Sequence, residues 1–385
     1  MMVVTVNSGS TSVKLAAYEL PDSGGGRRIC HLRADSGTAD RKALLAGFLA
    51  GLKQAPDAIA HRVVHGGRRF TAPARIDPDV FREIAALSEL APLHNPEALH
   101  WIEAAQSLCG PQVAQVAAFD TAFFAGLPDV AREYAVSREL SLDHGVCRYG
   151  FHGLAHEAML RSWEALHPEL PGGGRLITVQ LGGGCSIAAV RRGRPLDTSM
   201  GFSPLEGLVM ATRSGDIDPA VVPHLQHRLG KSAAEVIELL NRQSGLLAVS
   251  GLSGDLDKVL ASDSPGARFA IDLYCYRARK YIGAYLAVLG GCDGIAFGGG
   301  VGEHVPEARA RILDDMRWAG IELDPAANQA AHGQQASIGR SGSPIEVLVL
   351  PVDEEILLAG AAAGILGRPG TMFACMQPAE PVGPD

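Results

Sequence analysis

Two stretches of the chain share one pattern, MVVTVNSGSTSVKLAAY at residues 2–18 and LITVQLGGGCSIAAV at residues 176–190. In each, an apolar run leads into a short segment rich in Gly, Ser or Thr and then resumes. This pattern predicts a strand, a tight turn and a second strand, because small residues fit the backbone conformations of turns and β-branched residues are frequent in strands. The repetition predicts two halves that each begin with a β-hairpin.

Segments with the apolar spacing of helices lie between and after these hairpins. They cover residues 41–54, 96–108, 232–243 and 265–289. A third glycine-rich run, IAFGGGVGEH at residues 295–304, follows a predicted strand and precedes a further helical segment. Because strands alternate with helices along the chain, the predicted fold class is α/β.

Composition limits the class of protein. The chain has 385 residues, and this length predicts two domains that can each bury a core. Its net charge of −8 gives no indication of a basic surface for nucleic acid or an anionic membrane. The seven cysteines are odd in number and include no CxxC, so we expect reduced thiols and a cytoplasmic protein.

We expect neither a signal peptide nor a membrane-spanning segment. The sequence MMVVTVNSGSTS lacks the basic and long apolar regions of a signal peptide. The apolar run 356–366 is too short to span a bilayer and predicts a buried helix. The Pro- and Gly-rich residues after Gly367 predict a poorly ordered tail.

The three glycine-rich turns favour a phosphate ligand, since backbone N–H groups in such turns bind phosphate oxygens. One such turn is weak evidence because most glycine turns are only turns, but three beside strands favour a nucleotide. The site is not a Walker A loop, because Gly230-Lys231-Ser232 lacks the upstream glycine. GGGVGE at residues 298–303 is a poor dinucleotide fingerprint, because no second βαβ half follows.

Histidines occur in two pairs four residues apart, His61 with His65 and His152 with His156. This spacing chelates zinc on a helix, but HRVVHGG is strand-like and GFHGLAH lacks the HExxH pattern. A hydrogen-bonded core histidine and a functional histidine stay open as alternatives at each position.

Several charged residues occupy positions that are typical of sites. Asp120 ends an apolar strand, which suits a magnesium or substrate ligand as well as a cap. The acidic run 353–355 precedes an apolar helix, where capping is the default interpretation. Arg62 adjoins a β-branched run, and Arg213 lies among small polar residues that leave room for a ligand.

Taken together, these segments resemble the acetate kinase (acetokinase) family. The matching blocks are VNSGSTSVK (6–14), HRVVHGG (61–67), LAPLHNP (90–96), FDTAF (119–123), RYGFHG (148–153), LGGGCSI (181–187), DTSMGFSPLEG (197–207), TRSGDIDP (212–219), GGGVGE (298–303) and DEE (353–355). The resemblance implies two ribonuclease H-like (actin-like ATPase) domains around a central cleft. It places residues 1–123 and 355–385 in one domain and residues 124–354 in the other.

The resemblance also implies the activity, which is Mg²⁺-dependent transfer of the γ-phosphoryl group of ATP to acetate, in a homodimer. Mn²⁺ is an alternative metal. A kinase that prefers propionate or butyrate, and a non-catalytic actin-like nucleotide-binding protein, stay open as alternatives. The reaction needs no general base, because a carboxylic acid with a pKa near ~4.3 is already ionised at neutral pH. The task is to neutralise charge between two anions.

Site residues follow from the matching blocks. The implied catalytic residues are Arg62, Asp120, His152 and Arg213, the last two as transition-state stabilisers. The implied substrate contacts are Arg62, Val64, Leu93 and Pro204, and the implied metal ligands are Asn7 and Glu354 with Asp120. The implied nucleotide contacts are Ser10, Ser12, Lys14, Gln180, Leu181, Gly182, Gly183, Gly184, Asp255, Leu256, Asp257, Gly299, Gly300, Val301, Gly302 and His304. We expect the two arginines to converge on the transferring group.

Three positions depart from the family pattern. Gln180 stands where the family has a histidine, and it can donate a hydrogen bond but cannot be cationic. Phe124 stands where a histidine would follow FDTAF, and His304 replaces an asparagine after GxGE.

Overall fold

The computed structural model describes residues 1–9, 12–21, 26–35, 40–92 and 94–367. Two predicted site residues, Ser10 and Leu93, and the predicted tail from residue 368 lie outside these ranges.

Twelve strands and fifteen α-helices occur in the described part of the chain. The strands are β1 (Met2–Ser8), β2 (Ser12–Glu19), β3 (Arg27–Asp35), β4 (Ala58–Val63), β5 (Ala74–Arg75), β6 (Ala114–Phe119), β7 (Arg175–Leu181), β8 (Cys185–Arg191), β9 (Arg194–Thr198), β10 (Gly294–Gly298), β11 (Ala336–Ser337) and β12 (Glu346–Val349). The helices are α1 (Arg41–Ala50), α2 (Pro78–Ala86), α3 (Asn95–Cys109), α4 (Asp129–Arg132), α5 (Arg138–His144), α6 (Gly153–Leu166), α7 (Val221–Leu229), α8 (Ala233–Arg242), α9 (Gly245–Ser250), α10 (Leu256–Leu260), α11 (Pro265–Leu289), α12 (Gly299–His304), α13 (Pro306–Leu313), α14 (Pro325–Ala330) and α15 (Glu354–Ile365).

These elements form two compact units. The first contains residues 1–122 and the segment that begins at Asp353, and it is called the outer unit because its two segments flank the other unit in the sequence. The second, called here the central unit, contains residues 123–352. Each unit has its own six-stranded sheet.

The sheet of the outer unit has the strand order β3-β2-β1-β4-β6-β5. The predicted first hairpin is confirmed, since β1 and β2 are antiparallel and pair Asn7 with Lys14. β4 lies parallel to β1, and β6 lies parallel to β4. Helices α1 and α3 contribute Leu45 and Trp101 to a core with β1 and β2, and α15 packs on β1, β4 and β6.

The sheet of the central unit has the order β11-β12-β10-β7-β8-β9. The predicted second hairpin is also confirmed, as the antiparallel pair β7 and β8. β10 lies parallel to β7, and β12 lies parallel to β10. Both sheets therefore join an antiparallel three-stranded part to parallel strands, which confirms the predicted α/β class with two ribonuclease H-like domains.

Helix boundaries follow from local capping. Helix α11 begins and ends as predicted, because the Ser264 side chain accepts a hydrogen bond from the Ala267 N–H and Gly290 adopts a left-handed conformation at φ 67°. The helix predicted over residues 41–54 ends earlier, at Ala50 before Gly51. Across the described ranges, none of the helices has the length and apolar character that crossing a membrane requires.

Candidate active site

In the outer unit, neighbouring strands place polar side chains at one edge of the sheet. Asn7 and Arg62 lie near the ends of β1 and β4, and Asp120 directly follows β6. Because these three strands run in the same direction, their carboxyl ends meet at the same edge. The predicted position of Asp120 at the end of an apolar strand is therefore confirmed.

Arg62 and Asp120 form a buried ion pair. The Arg62 Nη2 atom lies 2.6 Å from Asp120 Oδ2, and its Nε donates to Oδ1 at 3.0 Å. The side chain of Asp120 is 0% exposed and that of Arg62 11%. Burial favours the neutral guanidine, but the carboxylates of Asp120 and Glu354 outweigh this effect and raise the pKa of Arg62.

Asn7 connects this pair to the acidic start of α15. Its Nδ2 donates to Glu354 Oε2 at 2.7 Å and to Glu355 Oε1 at 2.8 Å, while its Oδ1 accepts from Arg62 Nη1 at 3.4 Å. Lys14 Nζ lies 3.5 Å from Glu355 Oε1. Burial raises the pKa of Glu355, and the charge of Lys14 opposes that shift. The structure therefore groups the predicted residues Asn7, Lys14, Arg62, Asp120 and Glu354, and adds Glu355, which sequence reasoning assigned only to a cap.

This cluster of oxygen atoms fits a hard divalent cation that a substrate helps to hold. No three described side chains of His, Cys, Asp or Glu are placed to hold a metal ion by themselves. Asp120 and Glu354 supply two carboxylates in one cluster, and magnesium sites in phosphoryl-transfer enzymes commonly use one or two carboxylates with substrate phosphates and water. The capping interpretation of Asp353 is confirmed, because its Oδ1 accepts from the Ile356 N–H at 3.1 Å.

In the central unit, the glycine turn between β7 and β8 lies beside two predicted catalytic residues. A Cβ atom at Gly184 would lie 3.1 Å from His152 Cε1 and 3.4 Å from Arg213 Nη1. His152 has the left-handed backbone conformation, φ 57°, immediately before α6. A non-glycine residue pays conformational energy for this backbone, and such residues cluster at functional sites. The structure therefore brings His152, Arg213 and the turn together.

The loop that carries Arg213 is held from several sides. Arg213 Nη1 donates to the Pro204 carbonyl at 3.4 Å, so a predicted substrate contact adjoins a predicted catalytic residue. Arg148 Nη2 donates to Glu206 Oε1 at 2.8 Å, and the Tyr134 hydroxyl also donates to Glu206. Asp216 Oδ1 accepts from the Gly207 N–H at 2.9 Å.

The turn that follows β10 lies against Gln180. Gly299 has φ 77°, and a Cβ there would lie 2.5 Å from Gln180 Nε2 and 2.6 Å from the Leu181 carbonyl oxygen. Only glycine fits this approach. Glu303 Oε1 accepts from the Gly299 N–H at 2.9 Å and fixes the start of α12. The predicted nucleotide residues at 180–181 and at 299 are therefore neighbours.

For four further positions that the sequence singles out, the structure gives burial or contacts outside these two clusters. Asp255 caps α10 by accepting from the Asp257 N–H at 3.1 Å. Val64 is buried at 5% exposure. The His304 ring lies beside Gly333, where a Cβ would come within 2.4 Å of its Cε1. Phe124, at a position where the family pattern has histidine, is buried with its ring edge-on to His156 at 5.7 Å.

A profile of the Acetokinase family matches residues 39–360. This chain belongs to the acetokinase family. An acetate kinase of Solibacter usitatus is 45% identical over 317 residues, which cover 81% of this chain and 77% of that protein.

Solved structures of other family members agree. The crystal structure of Porphyromonas gingivalis acetate kinase is 35% identical, covers 95% of this chain and 99% of its own, and has a TM-score of 0.84. A propionate kinase from Francisella tularensis is 32% identical, covers 94% and 98%, and has a TM-score of 0.83. The two-domain actin-like fold expected from the sequence is thereby confirmed for this acetokinase-family chain.

Proposed function

We propose that this chain is an ATP:acetate phosphotransferase, which converts ATP and acetate reversibly into ADP and acetyl phosphate. The observation that carries the proposal is the placement of His152 and Arg213 beside the Gly184 turn. Both side chains can donate to the oxygens of a phosphoryl group in transfer, and nucleotide binding alone does not require a clamp for an acceptor carboxylate.

The chemistry requires charge neutralisation more than proton transfer. The acceptor carboxylate is ionised at neutral pH and must approach the charged γ-phosphoryl group. A planar guanidinium matches carboxylate and phosphoryl oxygens with two parallel hydrogen bonds, which a lysine ammonium cannot do. Groups fixed before the reaction stabilise the developing charge without reorganising during it.

We assign the roles by unit. In the outer unit, Arg62 binds the acceptor carboxylate and Val64 contacts its methyl group. The substrate roles of Leu93 and Pro204 stay predictions from the sequence. Arg213 and His152 of the central unit stabilise the phosphoryl group in the transition state. Asp120, Glu354 and Asn7 would hold Mg²⁺, which neutralises charge on the phosphates when bound.

The nucleotide contacts are assigned to the two glycine turns. Residues 180–184 of the central unit bind phosphate oxygens. The phosphate contacts of Ser10, Ser12 and Lys14 stay predictions from the sequence. Residues 299–302, His304 and Asp255–Asp257 surround the adenosine. Gln180 acts as a neutral donor, and its amide lies against Gly299 at the start of the second turn. A homodimer in a reducing compartment completes the proposal, and the six cysteines in the described ranges are free thiols.

A propionate kinase is the second candidate, because the Francisella enzyme is as similar in structure as the acetate kinase from Porphyromonas. One methylene in an apolar pocket is worth only about 1–3 kcal/mol of discrimination. Buried Val64 favours the smaller acid.

Trapping of the acyl phosphate with hydroxylamine tests the proposal. Protein, ATP and Mg²⁺ are mixed with acetate, propionate or butyrate, and the hydroxamate is measured. We expect acetohydroxamate to form fastest. A faster reaction with propionate would favour the second candidate, and no hydroxamate from any acid would refute both.

A paired substitution tests the assigned role of Arg213. We expect Arg213→Lys to lower kcat by about 10³-fold or more, while ATP still binds, because a point charge cannot replace the fork. Arg242→Lys is the matched control, since Arg242 is an exposed residue of α8 that pairs with Glu238. Near-normal turnover of Arg213→Lys would contradict the role.

A further inference from the structure

A chain of hydrogen bonds leads from His152 into the core of the central unit. The His152 Nδ1 atom lies 2.9 Å from Ser186 Oγ, and the same hydroxyl lies 2.8 Å from His156 Nε2. The other nitrogen of His156, Nδ1, lies 2.7 Å from Thr178 Oγ1. We call these four residues the imidazole–hydroxyl chain.

The inner members of this chain are sealed from water. Ser186, His156 and Thr178 are each 0% exposed. Thr178 and Ser186 lie on the paired strands β7 and β8, and His156 lies on α6, one turn after His152. Phe124 closes the site with its ring against His156. The imidazole–hydroxyl chain therefore has one end at the Gly184 turn and the other end in the core.

Burial decides the charge of the inner histidine. Burial holds the pKa of His156 well below its ordinary value, so His156 is neutral. A neutral imidazole has one N–H donor and one acceptor nitrogen, and the bond at one nitrogen determines the proton at the other. Thr178 can donate to Nδ1 of His156, which leaves the proton on Nε2 to donate to Ser186.

The orientation of the Ser186 hydroxyl determines in turn which nitrogen of His152 carries the proton. In the tautomer that we assign, the Ser186 oxygen accepts from His156 and the Ser186 O–H donates to His152 Nδ1. A neutral His152 must in consequence carry its proton on Nε2. That nitrogen is on the Gly184 side of the ring, 3.2 Å from where a Cβ of residue 184 would lie. An N–H there donates to an oxyanion, whereas a bare nitrogen would repel it.

We propose that Ser186, His156 and Thr178 are positioning residues that hold His152 as an Nε2–H donor toward the transferring phosphoryl group. This inference rests on the proposed kinase function and adds three residues that act on the reaction only through His152. The left-handed backbone of His152 is a second constraint on the same ring, because it fixes the side chain immediately before the helix that carries His156.

A double-mutant cycle tests the proposal. Ser186→Ala is prepared in the wild-type protein and in His152→Ala, and kcat for acetohydroxamate formation is measured in all four proteins. We expect Ser186→Ala alone to lower kcat by about 10–100-fold, the scale on which residues that orient a ligating histidine act. The KM for ATP should change little. In the His152→Ala background the same substitution should change kcat by less than about twofold, since its only route of action is gone.

Ser199→Ala is the matched control. Ser199 is equally buried, and its hydroxyl accepts from the Ile187 N–H at 2.9 Å on the neighbouring strand, outside the imidazole–hydroxyl chain. Comparison with Ser199→Ala separates the effect of losing any buried hydroxyl from the effect of losing the Ser186 hydroxyl. We expect its effect on kcat to be the same with and without His152.

The outcomes are distinct. A Ser186→Ala protein with wild-type kcat, or with an equal loss in both backgrounds, overturns the proposal. Should Ser186→Ala fail to fold, Thr178→Val keeps the shape and removes the far hydroxyl, and the same cycle applies to it. If the wild-type protein forms no acetohydroxamate, the proposed function fails, whereas an active wild type without coupling refutes only the positioning role.

Discussion

Replacing Arg62 by methionine removes the guanidinium that faces Asp120 and keeps most of the volume of the side chain. In the native chain two nitrogens of Arg62 lie within 3.0 Å of the two carboxylate oxygens, and Asp120 is fully buried. Removing one partner of a buried ion pair costs about 3–5 kcal/mol. We expect Arg62→Met to lose this amount of unfolding free energy in urea.

The same substitution should slow the reaction. If Arg62 binds the acceptor carboxylate, kcat for acetyl phosphate formation falls by about 10³–10⁵, as for arginines in phosphoryl transfer. This loss corresponds to about 4–7 kcal/mol of transition-state free energy at 1.36 kcal/mol per tenfold change. The hydroxamate assay on folded protein measures it.

The double variant Arg62→Met with Asp120→Asn separates the two effects. It removes both charges, so the carboxylate no longer stays ionised in a buried site from which the guanidinium has been removed. We expect the double variant to regain most of the unfolding free energy and none of the rate. Wild-type stability of the single variant, or wild-type turnover of the double variant, would refute the reasoning.

Three further predictions concern other parts of the chain. Burial lowers the pKa of His61 to about 4, whereas the residue in the unfolded chain has a pKa of about 6.5. Between these two values the unfolded state binds more protons, so the free energy of unfolding falls as the pH drops from about 6.5 towards about 4. His61→Gln, which can still bond to Gln115, should flatten the stability curve between pH 7 and pH 5 in urea titrations, and an unchanged curve would contradict this. Gly184→Ala should lower kcat by about 10–100-fold, because its methyl crowds His152 and displaces the ring; normal turnover would argue against a tight site. Gly283→Ala, with open space around it on α11, should raise the unfolding free energy by about 0.5–1 kcal/mol and leave kcat unchanged.

Elements with strong local signals were predictable from the sequence. Both hairpins and helix α11 are where the pattern of apolar residues and caps placed them. Strand β3 was missed, because RRICHLRAD carries many charges and borders the sheet. A signal was present, since Cys30, Leu32 and Ala34 alternate and pack against the core.

Contacts within the site were less predictable, because they depend on strand adjacency. Arg62 and Asp120 are 58 residues apart and meet only because β4 and β6 are parallel neighbours. Ser186 looks like any strand residue in the sequence, and its two histidine contacts come from α6 packing on the sheet. Glu355 was assigned to a cap because acidic residues at helix starts usually have that role, and its bond to Asn7 spans 348 residues.

The return of α15 to the first sheet has a consequence for how the polypeptide is made. Residues 1–122 are synthesised long before Glu354–Ile365, the helix that packs on β1, β4 and β6. At roughly 5–20 residues per second the delay is about 12–50 s. The stretch 123–352 is completed only just before that helix, so both units acquire their last elements at almost the same time. Until then the first sheet lacks the helix that packs on it.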